Sequence, residues 1–105
     1  MIFGLPNDVV KKLRQIFEGD ARIAHVWLYG SRAEHKERPS SDIDLCVEGE
    51  TLTLKDLHHL ENKIDELNLP WKVDLSLKHQ IDNAVLQKHI ENKGVNFLEN
   101  QVVTM

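Results

Sequence analysis

An apolar stretch, Ile23 to Tyr29, breaks off at Gly30-Ser31, and after ten intervening residues the pattern Asp42-Ile43-Asp44-Leu45 begins. These two features constrain the chain more than anything else in it. The first reads as a central strand covered on both faces, because it lacks the alternation of a strand with one wet side. Gly30 and Ser31 are small enough for backbone N–H groups to approach an anion closely. In the second feature, side chains alternate across a strand, so Asp42 and Asp44 share one face while Ile43 and Leu45 point into a core. Two carboxylates roughly 7 Å apart along a strand suit a hard divalent cation, since Mg²⁺ takes oxygen ligands and leaves positions free for phosphates. Asp also favours loop ends, so a pair of turn residues is the bland alternative. Yet Asp is disfavoured inside strands, and two of them in an Ile-Asp-Leu alternation need a reason.

The rest of the chain supplies a frame for this pair. Asn7 is a good N-cap, and Val9, Val10, Leu13, Ile16 and Phe17 recur at helical spacing, which predicts a helix over 8–18 closed by Gly19. Residues 30–41 read as a loop too polar for the core, and 42–48 as a strand ended by Gly49. Thr53 caps a further helix, with Asp56 in the capping-box position and Leu57, Leu60, Ile64 and Leu67 as its buried stripe, ending before Pro70. Trp71 to Leu77 alternates: Trp71, Val73, Leu75 and Leu77 face one way, Lys72, Asp74 and Ser76 the other. If the apolar side joins Ile43 and Leu45, Asp74 emerges on the carboxylate face. A last helix over 80–93 carries Ile81, Val85, Leu86 and Ile90, stops at Gly94, and is followed by a short edge strand between Val95 and Leu98. The order of elements predicts an α+β domain, a small mixed sheet with helices packed on one face.

At 105 residues the chain is expected to be one domain, 1–105. No stretch is long and apolar enough to span a bilayer, and no secretory leader is evident at Met1 to Asp8, so the expected location is the cytoplasm. The single cysteine, Cys46, agrees with a reducing compartment. A net charge of −4 argues against general nucleic-acid binding. Locally the sign reverses: Arg32, Lys36 and Arg38 sit in the loop beside the proposed phosphate turn, although a polar loop often carries charges that are merely solvated. The six histidines show no zinc-like spacing. His25, Trp27 and Tyr29 fall on one side of the first strand, where core packing is the ordinary role and partner contact or base stacking the alternative.

The pattern Gly30-Ser31-Arg32-Ala33 followed by Ser41-Asp42-Ile43-Asp44-Leu45 resembles the signature of the polymerase-beta nucleotidyltransferase superfamily. Within it the chain is most similar to the minimal nucleotidyltransferases, the MNT half of HEPN/MNT toxin–antitoxin pairs. Four such fixed residues would coincide by chance in a chain this long on the order of once in a thousand. The resemblance implies a polymerase-beta palm-like architecture and transfer of AMP from ATP. It also implies two Mg²⁺ ions held by Asp42, Asp44 and Asp74, with Asp74 facing the acceptor. Gly30, Ser31 and Arg32 would bind the triphosphate. Many members have a basic residue and a glycine after the Arg-Ala pair, where this chain has Glu34 and His35. An acid beside a triphosphate is unhelpful, so Glu34 is expected to face solvent or a partner.

The implied acceptor is a tyrosine of a HEPN-domain ribonuclease toxin, silenced when it receives AMP. Two rival readings remain. One is an antitoxin that neutralises its toxin by occupying the surface alone. The other is a transferase for a small hydroxylated molecule such as an aminoglycoside.

Overall fold

The computed structural model describes residues 1–98, so residues 99–105 of the expected domain lie outside the described part. Helix α1 (Asn7–Glu18) begins one residue before the predicted start, so Asn7 is its first residue and does not cap it. Pro6 is the N-cap, its carbonyl already accepting from the N–H groups of Val9 and Val10. Strands β1 (His25–Tyr29), β2 (Ile43–Glu48) and β3 (Val73–Leu77) follow, with α2 (Leu54–Asp65) between the last two. A single 3₁₀ turn (Lys78–Gln80) leads to α3 (Ala84–Lys93) and β4 (Val95–Asn96).

The strands form one sheet in the order β3-β2-β1-β4. Antiparallel pairing joins β1 to β2 and to β4, whereas β2 and β3 run parallel. A parallel neighbour needs a crossover, and α2 supplies it. Its start is secured as predicted: Thr53 and Asp56 form a capping box, and Arg22 donates to Asp56 and Asp20 together. The Thr53 N–H and the Arg22 guanidinium hold the Asp56 carboxyl down to about 2.

One face of the sheet carries the core. Val26, Leu28, Ile43, Leu45, Val47, Leu75 and Leu77 pack against Val10, Leu13 and Phe17 of α1 and Leu57, Leu60 and Ile64 of α2. The third helix corrects the expectation that all helices share this face. Trp27 and Tyr29 alternate with Val26 and Leu28, so they point away from the core. There they meet α3: the Tyr29 ring contacts His89 edge-on at 6.3 Å, and Trp27 lines a cavity with Ile90. The second face of β1 is therefore half-covered, and its burial alternates where the sequence reading expected continuous cover.

The long stripe expected on the last helix is also reduced. Asn83 accepts from the N–H groups of Val85 and Leu86 and starts α3 later than predicted; among its residues Ile90 is buried, while Val85 is 80% exposed.

The edge strand forms where expected, and the residue after it closes the core. Phe97 is fully buried, stacked on Phe3 at 5.5 Å and edge-on to Phe17 at 6.3 Å. Its N–H donates to the Val26 carbonyl at 2.7 Å, and its own carbonyl accepts from Arg14 Nε at 2.8 Å. This one side chain joins the N-terminal turn, α1 and β1. Phe97→Ala is expected to cost about 3–5 kcal/mol of unfolding free energy, measured by urea denaturation followed by circular dichroism.

Candidate active site

The parallel register decides where the acids stand. Ile43 pairs with Val73, Asp44 with Asp74 and Leu45 with Leu75. Asp74 therefore lies directly beside Asp44 and on the same face, as the alternation of Trp71 to Leu77 predicted. Asp42, one residue ahead of β2 and exposed, shares the parity of Asp44. On the other side, Tyr29 is the β1 partner of Asp44. A row of Tyr29, Asp44 and Asp74 thus crosses three strands.

Gly30 follows Tyr29 at once, and two facts require a glycine there. Its φ is +78°, which other residues rarely adopt, and a Cβ on it would lie 2.5 Å from Asp44 Oδ2. The carboxylate of Asp44 rests against bare backbone. The carbonyl of Gly30 then accepts from the N–H groups of Ala33 and Glu34, and that of Ser31 from Lys36, so the chain leaves the strand in a helical turn. N–H groups at the start of such a turn have no acceptor within it, and in this one Ser31 stands at that end, beside Asp44.

The electrostatics of the row are unfavourable in the absence of a counter-charge. Burial raises the Asp44 carboxyl above the usual carboxylate range, and the charges of Asp74 and Asp42 push it further, with Lys72 acting in the opposite direction. Burial likewise raises the Tyr29 phenol and, two residues along β2 from Asp44 on the same face, the fully buried Cys46 thiol. The acids are neighbours without being a closed cage: among the described residues no three His, Cys, Asp or Glu side chains form a preformed ligand cluster.

Arg32 corrects the sequence reading. It was expected to reach the triphosphate, but its side chain is 1% exposed and bound to backbone instead. Nε and Nη2 donate to the Ser41 carbonyl at 3.1 and 2.9 Å, Nη1 to Phe3 at 3.0 Å, and Nη2 also to Pro39 at 3.3 Å. The guanidinium lies 6.0 Å from the Trp71 ring centroid, and the Trp71 indole N–H donates to the same Pro39 carbonyl. Burial lowers its pKa, and nearby Glu37 offsets part of that effect. The loop judged too polar for the core therefore buries both Arg32 and Ala33. Five donors in a planar fork can satisfy several carbonyls at once, which a local reading of charge could not foresee. Because Ser41 precedes Asp42, this clasp sets the approach of the chain to the acids.

Glu34 is not turned out to free solvent. Its oxygens lie 3.8 Å from Lys36 Nζ and 3.8 Å from His89 Nε2, so the turn is tied to α3. Two functional contributions were missed from sequence, the clasp at Arg32 and the wall formed by α3. The pairing of Arg32 with Trp71 spans β2 and α2 in sequence, and no local signal announces it.

A parallel β2–β3 pair bearing adjacent acids, with a glycine turn closing against one of them, defines the chain as a nucleotidyltransferase. It belongs to the polymerase beta nucleotidyltransferase family, whose family model matches residues 11–102. Two relatives from Methanocaldococcus jannaschii, both provisionally named protein adenylyltransferases, are 32% and 33% identical over 86 residues, spanning 81% of this chain and 87% of theirs. MntA of Haemophilus influenzae, named a probable protein adenylyltransferase, is 39% identical over 51 residues, 48% of this chain and 45% of its own. The fold is shared with a solved toxin–antitoxin structure containing AMP-PNP, at a TM-score of 0.67 and 22% identity over 92% of this chain and 76% of the other. It is shared also with the structure of a tri-AMPylated Shewanella oneidensis HEPN toxin in complex with MNT antitoxin, at a TM-score of 0.63 and 20% identity over 89% and 71%.

Two outcomes follow from this geometry. Replacing Arg32 by Lys removes the planar fork that serves the Phe3 and Ser41 carbonyls together, while Pro39 keeps its bond from Trp71; the loss should cost on the order of 3 kcal/mol in urea denaturation. Asp44 has a folded pKa above its unfolded value, so its charge costs stability above the folded pKa, and that cost disappears as pH falls through it. Asp44→Asn should therefore melt above wild type at pH 7, with the gap closing as the buffer is acidified, while transferase activity is lost.

Proposed function

We propose that this chain is a Mg²⁺-dependent protein adenylyltransferase that moves AMP from ATP to a tyrosine hydroxyl of a HEPN-domain toxin with release of pyrophosphate, and so acts as a cytoplasmic antitoxin in complex with it. The register that sets Asp74 beside Asp44, with Asp44 seated on Gly30, carries this reading. Among the described residues no helix is long and apolar enough to cross a membrane, which is compatible with that location.

The donor set fits the ion. Three carboxylates share one face, and the upward push on Asp44 from Asp74 and Asp42 is the repulsion a divalent cation would relieve. Asp42, Asp44 and Asp74 would hold two Mg²⁺ ions, which when bound supply positive charge to the attacking and leaving oxygens. Ser31 holds the terminal phosphates through its hydroxyl and through the N–H groups at the start of its turn. Gly30 lets those phosphates approach the backbone. Asp74, exposed at the outer strand, faces the acceptor and takes the proton of its hydroxyl. The Arg32 clasp keeps Ser41 and hence Asp42 in place, which is a positioning role and replaces direct phosphate contact.

The names of the relatives support a protein as acceptor, and the toxin–antitoxin structures of the same fold support a HEPN toxin as that protein. Incubation of the chain with labelled ATP, Mg²⁺ and its cognate toxin should label a toxin tyrosine. Asp42→Ala and Asp44→Ala should each reduce labelling at least 100-fold while the complex still forms on a sizing column. Neutralisation undiminished in these variants, with no label in wild type, would instead establish an antitoxin that acts by occupancy. Millimolar Mg²⁺ with ATP should raise the melting temperature of wild type and leave that of the Asp42→Ala/Asp44→Ala double variant unchanged.

A further inference from the structure

The face that bears the acids continues beyond them. Two residues down β1 from Tyr29, and so about 7 Å away, Trp27 lies on the same face opposite Cys46. Its indole is held in place: Nε1 donates to Glu48 Oε1 at 2.9 Å, and His25 stacks on it at 5.2 Å with an interplanar angle of 25°. This fixed ring lines a cavity of about 190 Å³ together with Lys78, Ile90 and Glu91. A second cavity of about 250 Å³ shares the last three residues as walls. The same helix closes both regions: His89 meets Tyr29 beside Asp44, and the next two residues, Ile90 and Glu91, border the Trp27 cavity.

We propose that this groove, between α3 and the Trp27 row of the sheet, binds the adenine base of the nucleotide whose phosphates lie at the Gly30 turn. The inference rests on the reading of the site given above and adds the source of base recognition. Its chemistry matches a purine. A preoriented indole offers a stacking surface, and Ile90, at the cavity's edge, offers an aliphatic wall. The Glu91 carboxylate accepts from the exocyclic amino group of adenine, and the Lys78 ammonium donates to a ring nitrogen. The row spacing of about 7 Å is comparable with the span of one ribose between the α-phosphate over Asp44 and the base. Guanine would place a carbonyl oxygen where Glu91 needs a donor, so the groove favours adenine.

Fluorescence tests the placement directly. In a Trp71→Phe background Trp27 is the remaining tryptophan, and titration with Mg²⁺-ATP should quench its emission. Mg²⁺-tripolyphosphate should bind by calorimetry without quenching. Trp27→Leu should weaken ATP about tenfold and leave tripolyphosphate affinity within about twofold, and Trp27→Phe, which keeps a stacking ring, should restore most of the loss. Glu91→Ala should lower the preference for ATP over GTP. Equal loss of both ligands in Trp27→Leu, or ATP binding with no quench, would overturn the base site while leaving the phosphate and metal reading standing. Failure of wild type to bind either ligand would overturn both.

Discussion

The carboxylate of Asp44 occupies the space where any other residue at position 30 would carry its β-carbon. That contact brings the glycine turn and the acidic row within one side chain of each other. It requires the antiparallel pairing that sets Tyr29 against Asp44, and a backbone at φ +78° immediately after the strand. The arrangement is also self-opposing, because it half-buries a carboxylate between two others. A fold optimised only for stability would not retain it. Such local cost at a site is commonly balanced by the surrounding structure, and here the balance comes from the core beneath β2 and β3.

The second constraint is the buried guanidinium of Arg32. A charge out of water is tolerated only with its donors satisfied, and three backbone carbonyls from two segments, with an aromatic ring beside them, satisfy this one. The result joins the N-terminal turn, the lead into β2 and the lead into β3. Asp42 follows directly on the first of these leads to a strand and Asp74 stands three residues past Trp71 in the second, so the clasp anchors the backbone that enters both strands. The basic residue that looks most like a phosphate ligand is thus a structural rivet.

The placement of α3 changes what the small domain can do. With α1 and α2 beneath the sheet, the acid-bearing face would otherwise be an open plane. By packing Ile90 near Trp27 and His89 against Tyr29, α3 gives that face a wall and turns it into a cleft. Glu34 lies between Lys36 and His89 and joins the turn to this wall. The polar loop and the wall are one unit.

Much of this was legible in the residues themselves. Strict alternation placed Asp42 and Asp44 on one face and gave Asp74 the same parity, because side-chain direction in a strand is a local property. The capping box at Thr53 and Asp56 and the glycine stops were likewise local and were found where expected. Helix α3 was misjudged for the opposite reason: its apolar residues resemble a buried stripe, but which of them are covered depends on a sheet face distant in sequence. By itself the sequence determined the strands, the shared parity of the acids and the place of the small Gly30-Ser31 turn. Only the tertiary structure decided that β3 lies parallel to β2 with Asp74 in register, that Arg32 is buried on carbonyls, and that α3 covers the acidic face. Each of these depends on which distant segments become neighbours, and that is set by how the whole core packs.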